Sequence, residues 1–332
     1  MRMRKFPLLF FLATSAFPAL ALHPLAVGPI QIGIAGPEEI PKLETEFRPR
    51  FDLLGAVAEL KLDGMPVVSA SGLSDEFGLL EEPPGFTEAG IGECFLKLGV
   101  GVLRKDVGGK YDFFHPYPVV RFLETETRPS PQGIAFFQSI DDFQGYGYRY
   151  GKEYRYDPAS AELTIRYELA NTGRRPIATS QYNHNFFHLK PGLDDRNYTI
   201  RTGFAAEPLQ RDGAWCRYEN RLFSEFRTIP AGCYLVSRAL IPAAENRFEL
   251  AHPDFPYAIR IGGDFESRKF AVSFKENEFI SPEIFVEIHL KPGETRRWSR
   301  TYRFRRSPTP EPGRTRGGTS SAATRTHGGT AR

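Results

Sequence analysis

Cysteine is scarce in this sequence, which has Cys94, Cys216 and Cys233 among its 332 residues. With an odd number of thiols at most one pair can bridge, and Cys216 with Cys233 is favoured because a hairpin could join them. Cys94 lies in an apolar run and is interpreted as a buried small hydrophobic residue. No Cys–His cluster has the spacing of a zinc site, so neither a metal nor a cofactor is predicted.

Nucleotide-binding motifs and a strong charge imbalance are also missing. The chain contains no phosphate-binding loop, no dinucleotide fingerprint and no Ser-His-Asp motif, which argues against nucleotide chemistry. The net charge is +3, but residues 1–21 contribute three positive charges and residues 306–332 contribute four, so the body over 22–305 carries −4. Nucleic-acid binding calls for a basic patch on the folded body, and no nucleic-acid partner is predicted.

Long apolar runs are missing except near the start of the chain. Residues 6–17 are mostly apolar, follow a basic start and precede a small-x-small site that ends at Ala21. The run is well short of the ~20 residues that a membrane span needs. This pattern predicts a secretory signal peptide over residues 1–21, cleaved after Ala21. No Cys follows the cleavage site, so a lipid anchor is not expected, and the mature protein is predicted to be periplasmic or secreted without a membrane partner.

Long helical periodicity is absent as well, whereas Phe (28), Tyr (14), Gly (31) and Pro (27) are plentiful. This composition favours short strands joined by turns. Residues 22–44 are interpreted as an irregular entry or an edge strand, and residues 71–78 as a loop. Strands are predicted over 51–62, 66–70, 94–104, 133–137, 146–156, 163–171, 198–203, 233–241, 247–251, 257–261, 270–274, 284–290 and 297–304.

Many short strands at close spacing predict an all-β sandwich or barrel in a single large domain over residues 22–305. The strand over 163–171 alternates most clearly, with its apolar residues at odd positions. Residues 306–332 are Ser, Thr, Pro, Gly and Arg with little apolar content. They cannot bury enough surface to offset the entropy of ordering, and are predicted to be disordered.

One stretch, residues 181–189 (QYNHNFFHL), mixes histidines, asparagines and aromatic residues. If it is a strand, Tyr182, His184, Phe186 and His188 share one face and the other residues share the opposite face. Neither face is typical of a plain core. Polar groups buried among aromatic rings need hydrogen-bond partners, and a sugar is one partner that suits this mixture.

Within that stretch, NHNFFHL at 183–189 resembles the Asn-His-x-Tyr/Phe-Phe/Trp-x-Leu motif of aldose 1-epimerases, the galactose mutarotases. The run LKPGET at 290–295, with the aromatic residues that follow it, is similar to the ending of that superfamily. The segments 92–103, 145–150 and 182–187 also look like a bacterial branch of mutarotase-like proteins. The resemblance extends over about residues 48–304. It implies the galactose mutarotase-like β-supersandwich and a small-molecule sugar or saccharide as partner.

The resemblance implies an acid–base reaction on a sugar hemiacetal. In that family a His donates a proton to the ring oxygen and a Glu near the C-terminus is the base, which here correspond to His184 and Glu283. Glu287 is the alternative base; in a strand it would stand ~13 Å from Glu283. The reaction is expected to place His184 and a glutamate on opposite sides of one cleft, spaced for a pyranose ring.

Further candidates for substrate binding are weaker. Glu76 falls in a predicted early loop where the superfamily often places pocket residues, and Lys97 lies beside a strand with two glycines. The remaining candidates are Arg50, Tyr148, Arg149, Asn183, His188 and Glu287. Each has a structural alternative, because a surface Arg is usually solvated and a sheet Tyr usually packs. His188 is as readily a core histidine as a ligand-binding one.

Two functions remain open at this point. The first is aldose 1-epimerase-like interconversion of sugar anomers by His184 and Glu283. The second is non-catalytic carbohydrate binding on the same fold, because fold alone does not determine function. A polysaccharide lyase would need a Tyr–His pair and a long basic groove, and the negative charge of the body argues against an acidic polymer.

Overall fold

The computed structural model describes residues 21–39, 50–78, 81–210, 214–229 and 233–307. The body of the predicted signal peptide and the predicted disordered tail beyond residue 307 lie outside these residues.

The described residues form β-strands with only two 3-10 helices, Asp195–Asn197 and Ala243–Glu245. The strands are β1 (Leu22–Ala26), β2 (Ile30–Ala35), β3 (Ala56–Leu62), β4 (Met65–Pro66), β5 (Val68–Phe77), β6 (Cys94–Lys97), β7 (Gly101–Arg104), β8 (Val119–Phe122), β9 (Thr125–Ser130), β10 (Gly133–Phe143), β11 (Tyr146–Asp157), β12 (Glu162–Asn171), β13 (Ile177–Phe187), β14 (Thr199–Thr202), β15 (Leu209–Gln210), β16 (Arg217–Glu219), β17 (Leu222–Ser224), β18 (Cys233–Ser237), β19 (Arg247–Ala251), β20 (Tyr257–Gly263), β21 (Phe270–Lys275), β22 (Phe279–Leu290) and β23 (Thr295–Arg306).

The strands build two large antiparallel sheets and one small sheet. The first sheet has the order β1-β2-β3-β5-β13-β22-β21-β18-β15, with β4 paired to β3. The second sheet has the order β16-β17-β14-β19-β20-β23-β12-β11-β10-β9, and β6, β7 and β8 form the third. The fold is therefore the predicted all-β sandwich, because two large sheets enclose one extended apolar core.

Alternation along β12 shows how the sequence selects this core. Leu163, Ile165, Tyr167 and Leu169 are buried, whereas the residues between them are half-buried or exposed. Side chains of a strand point alternately to its two faces, so one apolar face packs inward. The predicted alternation is confirmed for this strand.

The single strand predicted over 94–104 is wrong, because the structure divides it into β6 and β7. The chain reverses around Gly99, which has φ +77° and whose carbonyl oxygen accepts from the Leu53 amide at 2.9 Å. A glycine adopts this backbone conformation without the steric cost that a Cβ would add. Cys94, predicted to be buried, is half-buried at the start of β6.

The loop predicted over 71–78 is also wrong, because β5 extends through Phe77. This strand is polar for a buried one: Ser74, Asp75 and Glu76 are each nearly inaccessible to solvent. Asp75 and Glu76 point to opposite faces and meet charged partners on both, so polarity here does not mean exposure. The favoured Cys216–Cys233 disulfide is likewise absent, and all three cysteines are free thiols.

No helix in the described part of the chain is long and apolar enough to cross a membrane.

Candidate active site on the outer face of the first sheet

Strand β13 sits between β5 and β22 in the first sheet and presents two polar faces. Its inward face carries Gln181, Asn183 and Asn185, whose side chains bond to Trp298 and Tyr302 of the second sheet at 2.9–3.2 Å. Side chains alternate along a strand, so the residues between them project outward, away from the second sheet. The outward face is the one that can meet a ligand.

His184 is the centre of a hydrogen-bonded cluster on that outward face. Its Nδ1 lies 2.8 Å from Glu283 Oε1, and its Nε2 lies 2.7 Å from the Tyr182 hydroxyl and 3.2 Å from Glu76 Oε2. The antiparallel register brings these groups together, because Tyr182 pairs with Glu76 on one side and with Phe285 on the other. Both imidazole nitrogens therefore face a carboxylate.

Arg50 closes one side of this cluster. Its Nε donates to Glu76 Oε2 at 2.7 Å, and its Nη2 donates to the Tyr182 hydroxyl at 3.1 Å. The same guanidinium lies 4.8 Å and 4.9 Å from the ring centroids of Phe113 and Phe114. An arginine can stack on aromatic rings while its guanidinium binds a carboxylate, so Arg50 connects the cluster to the segment that carries Phe113 and Phe114.

The pKa values of Glu76 and His184 are shifted toward their charged forms. Burial alone would raise the pKa of Glu76, but Arg50, His184 and Lys97 outweigh it and lower that pKa to about 2. Burial likewise opposes protonation of His184, yet the Glu283 carboxylate, followed by Glu76, raises the pKa of the imidazole. An imidazolium between two carboxylates is the arrangement that results.

Aromatic rings enclose the imidazole. Phe186 stacks on His184 with ring centroids 4.8 Å apart, and Phe51 meets its edge at 5.0 Å. His184 is consequently only 6% exposed. Exclusion of water strengthens the electrostatic interactions inside such a cluster.

Glu283 is held by hydrogen bonds to one of its two oxygens. Oε1 accepts from Ser281 Oγ at 2.9 Å in addition to facing His184. Among the described residues no hydrogen bond reaches Oε2. The expectation that His184 and a glutamate flank a cleft of pyranose width is wrong for Glu283, because the two side chains touch directly.

The three-dimensional arrangement identifies the fold class by comparison with solved structures. A galactose mutarotase-like protein from Lactobacillus casei ATCC 334 superposes with a TM-score of 0.57 at 13% identity, covering 86% of this chain and 100% of that one. The chain has the galactose mutarotase-like fold. No protein-family model matches the sequence, and no curated protein matches it at a significant level.

Two further structures share the galactose mutarotase-like fold with this chain. A galactose mutarotase related enzyme from Lactobacillus acidophilus has a TM-score of 0.53 at 9% identity over 86% of this chain and 97% of that one. A candidate aldose 1-epimerase from Escherichia coli K12 has a TM-score of 0.51 at 14% identity over 87% and 100%. At such identities the similarity is one of fold.

Of the sequence-predicted binding residues, the mutarotase-like fold brings Glu76 and Lys97 to the His184 cluster. Lys97 lies in β6, donates to the Phe77 carbonyl oxygen and stands 3.8 Å from Glu76 Oε1. Burial lowers the pKa of Lys97 to about 8. Lys97, in the third sheet, therefore forms an ion pair with Glu76.

The fold keeps Tyr148, Arg149 and Asn183 away from this cluster. The buried Tyr148 hydroxyl donates to Gln138 at 2.6 Å, and Asn183 Nδ2 donates to Asp75 at 2.9 Å in the core between the sheets. Arg149 is a residue of β11 and lines a groove of about 1080 Å³ on the second sheet. These three residues do not meet the side chain of His184.

His188 and Glu287 lie close to the cluster in sequence but do not join it. His188 follows the end of β13 and is half-buried, with its backbone amide donating to the Val67 carbonyl oxygen at 3.0 Å. Glu287 pairs with Ser180 in the register of β13 and β22, two residues before Tyr182. Glu283 is the glutamate that reaches His184.

Sequence reasoning undervalued Arg50 and Tyr182 and missed Lys269, which lies on the same outward face. Tyr182 shared the predicted face of His184, and that alternation was the signal for it. Nothing in the local sequence marks Lys269, because it becomes part of the site only through the pairing of β21 with β22. The described residues contain no group of three His, Cys, Asp or Glu side chains that could hold a metal ion.

Proposed function

We propose that the protein interconverts the anomers of a sugar, with His184 and Glu283 as the acid–base pair. The observation that carries this proposal is the 2.8 Å contact between His184 Nδ1 and Glu283 Oε1 in a cluster with little solvent access. The galactose mutarotase-like fold supports it, because one similar structure is described as a galactose mutarotase related enzyme.

Direct contact between the two side chains is compatible with this chemistry. The anomeric hydroxyl and the ring oxygen are bonded to the same carbon, so the groups that exchange protons with them can be neighbours. In the proposed reaction the two sugar oxygens replace the direct His184–Glu283 hydrogen bond. This arrangement requires acid and base on one side of the ring.

The reaction then proceeds by paired proton transfers. Glu283 takes the proton of the anomeric hydroxyl, whose oxygen forms a carbonyl as the bond between the anomeric carbon and the ring oxygen breaks. The His184 imidazolium protonates the departing ring oxygen. After the carbonyl rotates to present its other face, the reverse transfers close the ring as the opposite anomer and restore both residues.

The surrounding charges favour the protonated form of His184, which is the proton donor in this step. The Glu283 and Glu76 carboxylates raise the pKa of His184 against the effect of burial and so favour the imidazolium, and Glu76 Oε2 lies 3.2 Å from its Nε2. Arg50 offsets the charge of Glu76, so the imidazolium proton is not lost to that carboxylate. Glu76 therefore orients His184 and favours its protonated form, and Arg50 keeps Glu76 ionised.

The test is a measurement of anomer interconversion by NMR exchange or polarimetry with α-D-glucose and α-D-galactose. The protein should accelerate interconversion, and His184→Ala and Glu283→Gln should each reduce the rate by roughly 10²–10⁴-fold, the usual contribution of one acid–base group. His23→Ala, which changes an exposed histidine on β1, should retain the full rate.

Two outcomes would contradict the proposal. If Glu283→Gln keeps the full interconversion rate and Glu287→Gln loses it, the base is Glu287. Sugar binding without any acceleration would favour a non-catalytic carbohydrate-binding protein. That second candidate is supported by the enclosure of His184, since both of its nitrogens already have partners within the protein.

A further inference from the structure

The described part of the chain buries four lysines, and three of them have hydrogen-bond acceptors. Lys97 and Lys105 each donate to a backbone carbonyl oxygen, and Lys152 bonds to two buried aspartates. Lys269 is only 7% exposed, yet its ammonium makes no hydrogen bond or ion pair within the described residues. A buried ammonium without an acceptor is costly, so its position calls for a reason.

Lys269 lies on the same outward face as the catalytic pair. It precedes β21, and its carbonyl oxygen accepts from the Phe285 amide at 3.1 Å. Its Nζ stands 4.0 Å from the centre of the Phe285 ring, which stacks on Tyr182 at 4.3 Å. Phe285 is two residues from Glu283 along β22, a separation of about 7 Å, which a single sugar ring can bridge.

Two polar oxygens near the outward face of β13 also lack hydrogen-bond partners. Burial lowers the pKa of Lys269 to about 8, although the negative charge of Glu283, followed by those of Glu76 and Glu81, acts to raise it. Glu81 Oε2 and Ser180 Oγ are both inaccessible to solvent and lack hydrogen bonds. The Ser180 hydroxyl is near enough to Glu81 to stabilise its charge, but the two do not meet in hydrogen-bond geometry.

We propose that Lys269, Glu81 and Ser180 bind the hydroxyl groups of a neutral sugar. A sugar hydroxyl can accept from an ammonium or donate to a carboxylate, so the several hydroxyl groups of one sugar can satisfy both Lys269 and Glu81. The carboxylates of Glu283, Glu76 and Glu81 act on the Lys269 ammonium, so it does not require an anionic substituent on the ligand. The inference rests on the proposed function, because the subsite would hold the part of the sugar that lies away from its anomeric carbon.

The test compares Lys269→Met with Lys105→Met. Binding of D-glucose, D-galactose, D-glucuronate and glucose 6-phosphate is measured by calorimetric or NMR titration, alongside the thermal midpoint. Lys269→Met keeps most of the apolar stem and removes the unpaired charge. It should weaken binding of the neutral sugars roughly tenfold, the loss of one hydrogen bond to a charged group, and leave the thermal midpoint equal or higher.

Lys105→Met is the matched control, since its ammonium donates to the Phe86 carbonyl oxygen at 3.0 Å outside the site. It should lower the thermal midpoint and leave sugar affinity unchanged. Glu81→Gln provides a second variant that keeps the side-chain shape. It should weaken the binding of neutral sugars as much as Lys269→Met does.

Each contrary outcome has a distinct meaning. Unchanged affinity with a lower midpoint in Lys269→Met would overturn the inference, as would preference of the wild-type protein for glucuronate or glucose 6-phosphate. Failure of all four sugars to bind the wild-type protein would overturn it as well. Binding without interconversion would contradict the proposed function alone, because the subsite is judged by affinity.

Discussion

Glu76 shows at the scale of a single residue how this site depends on charge. Its side chain is fully buried, but Arg50 donates to it at 2.7 Å and His184 Nε2 lies at 3.2 Å. Burial by itself would favour the neutral carboxylic acid. The neighbouring positive charges reverse that preference, so Glu76 is ionised in the folded protein.

The lowered pKa of Glu76 predicts a specific dependence of stability on pH. A carboxyl whose pKa falls from 4.5 in the unfolded chain to about 2 in the folded protein stabilises the fold above pH 4.5. That stabilisation, roughly 3 kcal/mol, is lost as the pH falls from 4.5 through 2. Urea unfolding of the wild type and Glu76→Gln should therefore show a difference in unfolding free energy that shrinks over this interval.

Glu126→Gln is the appropriate control for that experiment. Glu126 also bonds to an arginine, but this pair is exposed on β9, and exposed ion pairs contribute little to stability. Its difference from the wild type should stay nearly constant with pH. Parallel curves for Glu76→Gln and the wild type would contradict the ionised state of Glu76.

The turn between β6 and β7 illustrates control at the scale of an element. A Cβ on Gly99 would lie 2.4 Å from the Asp52 Cβ, closer than two carbon atoms can pack. Asp52 in turn accepts from Tyr150 at 2.9 Å and from Lys152 at 3.3 Å between the sheets. This glycine lets the third sheet approach the buried charged residues of the sandwich.

Gly99→Ala is therefore expected to destabilise the protein more than Gly109→Ala. Both glycines have positive φ, at +77° and +100°, so both substitutions introduce backbone strain. Only at Gly99 does the added Cβ collide with a packed neighbour, whereas nothing lies within 4 Å at Gly109. Urea unfolding should give an additional loss of about 1–3 kcal/mol for Gly99→Ala, and equal losses would refute the close contact.

The N-terminal segment, which lies almost entirely outside the described residues, has the sequence pattern of an export signal. We propose that the protein is exported and processed after Ala21, which would leave Leu22, the first residue of β1, as the new N-terminus. Mass spectrometry of the protein from its native host should show that N-terminus in the periplasmic or secreted fraction. Retention of residues 1–21 in a cytoplasmic protein would contradict the proposal.

Much of the fold follows from local sequence patterns. The alternation of β12 and the abundance of turn residues predict an all-β sandwich, and the mixed character of residues 181–189 marks β13 as unusual. These features depend on neighbours within a few positions, because strand geometry alone decides which residues share a face. His184 is a candidate on this basis and on the resemblance, whereas Glu283 and Glu76 are candidates on the resemblance.

Polar strands were harder to predict. Residues 71–77 have the composition of a loop, yet β5 is buried because Asp75 and Glu76 find partners on both sheet faces. Composition reports how a residue behaves in water, whereas burial depends on whether distant groups complete its hydrogen bonds. The hairpin at Gly99 was missed since its apolar residues continue through the turn.

By itself, the sequence determined the β-rich class and which residues of β13 share a face with His184, whereas the contacts with the second sheet showed that this face points outward. Only the tertiary structure decided that Glu283, 99 residues away, touches Nδ1 of that histidine, and that Glu76, 108 residues away, meets Nε2. It also set Lys269 on the same face with no acceptor. The physical reason is that antiparallel pairing joins distant segments in a register set by the packing of the whole core.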